Sequence, residues 1–268
     1  IWFETHEGDY HYDDYDENIV WMMAHCRGDL DKNLDDFEIL RVSKYNGKSR
    51  VKDPMDDSLV PIIPYEKLDD VATAFLQEYY PAALRIPMRG QDPVWVDPTE
   101  LAKNMGLTVK NQRIREDGSV FGQIYFDDTD TVMYDANEDA DVPTHIKGKT
   151  IVVDPQIYLL RNLGSFNNTI VHECVHWAKH RKAFKLEQLF NTDASYISCE
   201  VVGDADSRIS IKSTKYMEKQ ANQLAPRIQM PKEPFTIKAK EYIAYFMRQT
   251  DARHTVDVME MVIGALEC

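Results

Sequence analysis

Apolar residues recur at helical spacing along much of the chain. From Val71 to Tyr79 they follow the i, i+3, i+4, i+8 spacing of one helix face, which predicts a helix over residues 65–80. Asp97 has the character of a helix N-cap, with proline in the first turn, and this second helix is expected to end at Gly106. Further helices are predicted at residues 168–184, 214–225, 237–248 and 254–266.

Short runs of β-branched and aromatic residues lie between these helices and predict strands. The predicted strands cover residues 120–126, 131–134 and 150–153, and a turn rich in aspartate separates the first two. Short strands separated by turns favour a small mixed or antiparallel sheet. We therefore expect an α+β fold, with a sheet of three or more strands and a helical C-terminal part.

The first 60 residues are unusually acidic. They hold 15 Asp and Glu against 7 Lys and Arg, a net charge of −8 out of −14 for the whole chain of 268 residues. Between Glu7 and Glu17, tyrosines and carboxylates alternate without a period, which predicts a solvated arm or a separate subdomain. The apolar run from Ile19 to His25 is expected to form a short helix.

Pro61 and Pro64 mark the end of this acidic segment. We divide the chain into an acidic N-terminal segment, a central domain and a helical C-terminal extension. The proposed ranges are 1–60, 61–235 and 236–268.

Composition excludes several classes of function. An acidic chain repels phosphate, so we expect no direct nucleic-acid binding over a broad surface. No apolar run approaches the roughly 18 residues of a membrane span, so no membrane association is expected. The cysteines form no C-x-x-C pair and are interpreted as reduced thiols of a cytoplasmic protein. Because the chain begins at Ile1, we expect a fragment or a processed form. The cysteines are Cys26, Cys174, Cys199 and Cys268.

The segment most informative about chemistry is the H-E-x-x-H sequence of the helix predicted at 168–184. His172 and His176 are four residues apart, so both imidazoles lie on one helix face and can bind one ion. Zinc accepts imidazole nitrogens at about 2.0–2.1 Å in tetrahedral geometry. Glu173 lies beside that face, where it can act as a general base. We expect Asn167 or Asn168 to cap the start of this helix.

A catalytic zinc site needs a third protein ligand. A histidine ten residues after the first ligand is excluded, because that position holds Lys182. His180 lies about 12 Å from His172 along a helix axis, too far to join the same ion, and is expected to be partly exposed or to support another ligand. A glutamate from a later helix is the remaining solution. The candidates are Glu187, Glu200, Glu218, Glu233 and Glu241.

Among these candidates Glu218 stands out. It lies on the helix predicted at 214–225, with Asn222 four residues later on the same face. An asparagine in that position can hydrogen-bond the second nitrogen of a ligating histidine, which fixes the orientation of the ring. The spacing therefore predicts that Glu218 is a metal ligand and that Asn222 hydrogen-bonds one of the ligating histidines.

Two segments of the chain together resemble the ImmA/IrrE family of zinc metallopeptidases. The first is the H-E-x-x-H segment from Thr169 to Trp177, and the second runs from Glu218 to Pro231 and matches the family's Glu-x-x-Ala-Asn-x-x-Ala element ending in Met-Pro. A looser likeness upstream includes a helix ending in Gly-Leu and a strand containing Phe-Gly. The resemblance covers residues 64–235.

This resemblance implies a zincin-like fold in which the sheet packs on the H-E-x-x-H helix. It implies one Zn²⁺ per chain held by His172, His176 and Glu218, with Glu173 as the catalytic acid and base. Family members are bacterial endopeptidases that cleave transcriptional repressors, typically helix-turn-helix proteins. The implied function is zinc-dependent hydrolysis of a peptide bond in a regulatory protein.

The sequence also departs from the family. Residues 185–213 have the character of an insertion, because His176 and Glu218 are 42 residues apart, and residues 1–60 have no counterpart. A second hypothesis is therefore a sensor or adaptor that keeps the zinc site and acts by binding a protein. The presence of Glu173 favours the enzyme, since a scaffold that only binds metal does not need this carboxylate.

Two further expectations concern the reaction. A peptidase needs a donor that stabilises the developing oxyanion. The strand at 120–126 could either offer an edge with which an extended substrate pairs or be an ordinary strand of the sheet. The candidate donors are Tyr125, His145, Tyr216 and His254.

Overall fold

The chain has a mixed α+β structure, as the sequence predicts. The computed structural model describes residues 2–7, 18–29, 32, 34–44, 55, 58–190, 196–200, 211–249 and 255–266. His254 and most of the acidic stretch between Glu7 and Glu17 lie outside these residues. The segment predicted as an insertion, 185–213, is described at both ends and at one internal strand.

The N-terminal region forms a three-stranded antiparallel sheet in the order β1-β2-β3. Its strands are β1 (Trp2–Glu7), β2 (Asn18–Arg27) and β3 (Glu38–Lys44). The prediction of a short helix from Ile19 to His25 is wrong, because this run is the central strand and pairs along both edges. A short apolar run without a period fits either state, and here pairing with two distant segments decides the outcome.

Six more strands form two further sheets. They are β4 (Thr108–Asn111), β5 (Val120–Tyr125), β6 (Thr129–Asp135), β7 (Ala140–Ile146), β8 (Thr150–Val153) and β9 (Tyr196–Glu200). Four of them form a sheet in the order β4-β8-β5-β9, and β6 and β7 form an antiparallel hairpin. β8 is parallel to β4 and antiparallel to β5. All four residues of β8 are buried, as expected for an inner strand that is covered on both faces.

The three strands predicted in this region are confirmed, and of the two alternatives for the strand at 120–126 the open edge is wrong. β5 pairs with β8 on one side and with β9 on the other, so neither edge is free. β9 comes from the segment interpreted as an insertion. Its pairing partner lies more than 70 residues away in the sequence, and local patterns carry little information about such pairs.

Eight α-helices are present among the described residues. They are α1 (Leu68–Tyr79), α2 (Pro98–Asn104), α3 (Gln156–Leu160), α4 (Leu163–Val175), α5 (Arg181–Phe190), α6 (Ile211–Gln229), α7 (Lys232–Gln249) and α8 (Thr255–Leu266). The predicted helices are confirmed, with shifted ends. The segment predicted as one helix at 168–184 is α4 and α5, joined by a π-helical turn at His176–His180.

The start of α4 differs from the prediction. Asn162 is the N-cap, and its side-chain oxygen accepts a hydrogen bond from the Ser165 amide at 2.7 Å. Asn167 and Asn168 are therefore not caps but lie inside the helix. The helix begins earlier than its apolar stripe because the Asn162 cap, and not the stripe, fixes where the backbone turns.

The main core lies between one face of the four-stranded sheet and the helices. Ile124 and Ile151 from the sheet, Val171 and Val175 from α4, and Leu224 from α6 belong to one buried cluster. A smaller cluster on the other side includes Tyr125 and Val152, together with residues of the β6–β7 hairpin. α4, the helix of the H-E-x-x-H motif, therefore packs directly on the sheet and is held there by its apolar stripe.

Val60 packs against two later helices in a small cluster that is separate from the main core. Its side chain is fully buried against Ala183 of α5 and Met217 of α6. Pro61 follows immediately and lies against α6 as well. Among the described helices, none has the length and apolar character needed to cross a bilayer.

Candidate metal centre

His172 and His176 face each other at the end of α4. His172 lies in the last turn of the helix, and His176 is the first residue of the π-helical turn. Their Nε2 atoms are 3.0 Å apart, and both side chains are buried, with exposures of 1% and 0%. Val171, Cys174 and Val175 pack into the core beside them, which fixes the helix while both rings point toward α6.

Glu218 of α6 completes a group of three. Its Oε2 lies 3.2 Å from Nε2 of His172, and its Oε1 lies 3.1 Å from Nε2 of His176. α4 and α6 run in opposite directions, since the Gln229 side chain near the end of α6 hydrogen-bonds Asn168 in α4. The antiparallel packing brings together two sequence segments that are 42 residues apart.

The spacing of these three side chains fits a zinc ion. A tetrahedral zinc with bonds of about 2.0–2.1 Å holds its ligand atoms about 3.3 Å apart. The two Nε2 atoms are 3.0 Å apart, and they lie 3.2 and 3.1 Å from the two different carboxylate oxygens of Glu218, all close to this value. Two imidazole nitrogens and a carboxylate oxygen also form a donor set that zinc accepts.

Glu173 lies next to this group and has no partner among the described residues. Its side chain is fully buried, and neither carboxylate oxygen makes a hydrogen bond there. Burial and the negative charge of Glu218 raise the pKa of Glu173 well above its usual range. The backbone amide of Ile124 is close enough to oppose this shift but is not placed to donate a hydrogen bond. A buried carboxylate of this kind is costly unless it interacts with an ion, water or substrate.

Gly122 allows β5 to lie directly on Glu173. A Cβ atom at this position would be 2.5 Å from the Thr169 methyl carbon and 3.1 Å from Glu173 Oε1. The first distance is shorter than any ordinary contact, so only glycine fits between the strand and the helix. The Phe-Gly pair that contributes to the family resemblance thus has a steric role in this site.

Asn222 takes the position that the sequence predicts for it. It lies one helical turn beyond Glu218 and near His172, where a hydrogen bond from its side chain would raise the pKa of the imidazole. A hydrogen bond of this kind holds the ring of a ligating histidine in one orientation.

His180 is not exposed, which corrects one of the two alternatives drawn from the sequence. Its side chain is fully buried, and its Nδ1 lies 3.0 Å from Nδ1 of His176. The π-helical turn brings the two rings together. Such turns are rare in proteins overall, but those that occur are often at functional sites. The Nε2 of His180 lies 2.8 Å from Oε1 of Gln220, a residue that sequence reasoning missed.

The protonation of the site suits a cation. Burial lowers the pKa of His172, and the hydrogen bond with Glu218 opposes this shift without reversing it. Burial also lowers the pKa of His180, to about 3. Burial alone would raise the pKa of Glu218, but the facing His176 and His172 rings hold it far below its usual range. Neutral imidazole and charged carboxylate are the forms that bind metal.

These shifts predict that the metal-free protein loses stability as the pH falls below about 6.5. In that range the unfolded chain takes up protons at His172 and His180 that the folded chain does not. His180 contributes a slope that approaches about 1.4 kcal/mol per pH unit, His172 adds to this slope in the same direction, and the raised pKa of Glu173 opposes both above about pH 4.5. Denaturant unfolding of chelator-treated protein between about pH 7 and pH 5 measures the net slope. A His180→Phe variant should lose stability less steeply than the wild type over this range, and an unchanged slope would contradict this prediction.

The three candidate oxyanion donors that the structure describes do not join the site. The Tyr125 hydroxyl donates to Gln123 and lies in the cluster on the other side of the sheet. His145 is exposed on the β6–β7 hairpin, where it pairs with Asp130. Tyr216 lies on α6, but its hydroxyl accepts a hydrogen bond from the Ile63 amide. His254 lies outside the described residues. Three of the four are thus engaged elsewhere, because β-strand alternation and helix phase turn them away.

Comparisons with protein-family models, with curated proteins and with solved structures find no match to this chain. The functional argument therefore depends on the geometry of the site: three side chains placed to hold a metal ion, a buried carboxylate without a hydrogen bond, and a glycine that lets a strand approach it.

Proposed function

We propose that the protein is a zinc-dependent endopeptidase with a zincin-like fold, similar to the ImmA/IrrE family. The observation that carries this proposal is the unpartnered carboxylate of Glu173 beside the group formed by His172, His176 and Glu218. A purely structural metal site uses four protein ligands and has no need of a buried glutamate next to them. A catalytic site needs both an open coordination position and a base.

The three ligand side chains would hold one Zn²⁺ per chain. Zinc with three protein ligands keeps its fourth position for water and lowers the pKa of that water to about 7. The sequence and the fold contribute two rigid supports for this site. α4 is anchored to the sheet by its apolar stripe, and α6 packs along α4 in the opposite direction.

Glu173 would move the proton. The pKa of Glu173 is shifted upward, in the direction of neutral pH, and this suits a group that must first accept a proton and then give it up. It would accept a proton from the attacking water and deliver it to the leaving amine nitrogen as the peptide bond breaks. Its burial under Gly122 keeps bulk water away from the carboxylate and fixes its direction.

The substrate class follows from the resemblance. We propose a regulatory protein of the bacterial cytoplasm, such as a helix-turn-helix repressor, as the substrate. A protein substrate would meet the sheet at β9, since β9 covers the edge of β5. The acidic composition agrees with a partner that is a protein rather than a nucleic acid.

Metal analysis of the purified chain tests the proposal. Elemental analysis after loading with zinc and removal of excess metal is expected to give about one zinc per chain, as a site with three ligands requires. Removal with a strong chelator should abolish cleavage of the substrate protein, and added zinc should restore it. Two outcomes would contradict the proposal: no bound zinc after reconstitution, or one tightly bound iron in its place, because two histidines and one carboxylate also form the iron site of oxygenases.

A further inference from the structure

A chain of hydrogen bonds leads from His176 to the segment before α1. His176 Nδ1 lies 3.0 Å from His180 Nδ1, and His180 Nε2 lies 2.8 Å from Gln220 Oε1. The Gln220 amide nitrogen then donates to the carbonyl oxygen of Pro61 at 2.5 Å. The three side chains are buried, so water does not compete for these contacts.

The position of each proton along these hydrogen bonds follows from the last acceptor, the carbonyl oxygen of Pro61. A carbonyl oxygen only accepts, so the amide nitrogen of Gln220 must face Pro61 and its oxygen must face His180. His180 must then donate from Nε2, which leaves its Nδ1 as an acceptor. The proton between the two rings therefore belongs to His176 Nδ1. With that proton in place, the Nε2 lone pair of His176 is the one available for a metal.

We propose that His180 and Gln220 are positioning residues, which fix the tautomer and the ring direction of His176 so that its Nε2 faces the metal. The proposal rests on the proposed zinc site. The usual partner of a ligating histidine is a carboxylate, a backbone carbonyl or water. Here a neutral imidazole takes that place, and its own orientation is set by an amide anchored on Pro61, more than 110 residues away from both histidines.

Two substitutions of His180 separate positioning from space filling. Phenylalanine fills the volume of the ring but cannot accept the proton of His176. Asparagine leaves a gap, but its Oδ1 is attached at the same distance from Cβ as the histidine Nδ1 and can accept that proton. If His180 positions His176, His180→Phe weakens zinc binding by about 10–100-fold, whereas His180→Asn weakens it by less than about tenfold. If His180 only fills space, the order of the two variants is reversed.

Gln220→Leu tests the next member of the chain without changing either ring. It is also expected to weaken zinc binding by about 10–100-fold, because His180 is then free to adopt the other tautomer. Gln223→Leu makes the same change on the same helix, at a residue that takes no part in these hydrogen bonds, and should leave zinc affinity unchanged. Competition with a chromophoric chelator measures the affinities, and thermal unfolding of the metal-free variants shows whether each one is folded.

A measurement on the unmodified protein decides the proton positions directly. Long-range ¹H–¹⁵N spectra of protein labelled at histidine are expected to show His180 protonated at Nε2 and His176 protonated at Nδ1, with the His180→Asn spectrum giving the assignment. A His180 ring protonated at Nδ1 would overturn the proposal. If the wild type binds no zinc, the proposed function fails, and the same spectra of the metal-free protein still test the hydrogen-bond chain. If it binds zinc and His180→Phe retains full affinity, only the positioning role fails.

Discussion

Replacing Glu173 by glutamine is expected to reduce peptide-bond hydrolysis by about 10²–10⁴-fold, the usual contribution of a general acid or base. Glutamine has nearly the same shape, but it cannot accept a proton from water or pass one to the leaving nitrogen. Since Glu173 is not one of the three converging ligands, the variant should still bind about one zinc per chain. The two measurements are the rate of substrate cleavage and the zinc content of the same preparation.

The control for this experiment is Glu233→Gln. Glu233 lies in the exposed first turn of α7, so the same chemical change there should leave both the rate and the zinc content unaltered. If Glu173→Gln cleaves its substrate at the wild-type rate, Glu173 is not the base. If the variant keeps its full biological effect without any cleavage, the protein acts by binding, as the sensor hypothesis holds.

Replacing Glu218 by alanine should have the largest effect on metal binding. A full zinc site is worth about 10–16 kcal/mol, so the loss of one ligand should cost about a quarter of this, or roughly 10²–10³-fold in affinity. Only His172 and His176 would then remain, at 3.0 Å between their Nε2 atoms. Competition with a chelator measures the loss of zinc affinity. When the zinc supplied is too little to fill the site, the rate of substrate cleavage should fall in proportion to the zinc that is bound.

Glu218→Asp and Glu233→Ala complete this second series. Aspartate keeps the carboxylate but draws it back by one methylene, so an affinity between those of wild type and Glu218→Ala is expected. Glu233→Ala removes an exposed glutamate and should change nothing. Unchanged zinc affinity in Glu218→Ala, in a variant whose thermal unfolding shows it to be folded, would exclude Glu218 as a ligand.

Local patterns were sufficient to predict the elements that carry the site. The period of the apolar residues predicts α4 and α6, and the four-residue spacings within them place His172 with His176 and Glu218 with Asn222. Each of these inferences uses only neighbours within one or two helical turns. The convergence of the two pairs depends on helix packing, which periodicity alone does not predict; only the resemblance to a two-part motif suggests it.

The parts that the sequence did not reveal arise from distant contacts. The π-helical turn at His176–His180 brings His180 against His176, and ideal helix geometry therefore does not reveal that His180 is buried. In the sequence Gln220 is an ordinary polar residue, because its contacts with the Pro61 carbonyl and the His180 ring exist only in the folded chain. β2 and β9 were missed for the same reason, since strand pairing with remote segments determines both.

The burial of Val60 has a practical consequence for anyone who shortens this chain. The composition suggests trimming at residue 61, yet that cut would remove a fully buried side chain and place a charged amino terminus at the proline whose carbonyl holds Gln220. A fragment made for crystallography or screening should keep residues 58–60, and affinity tags are better attached at the other end.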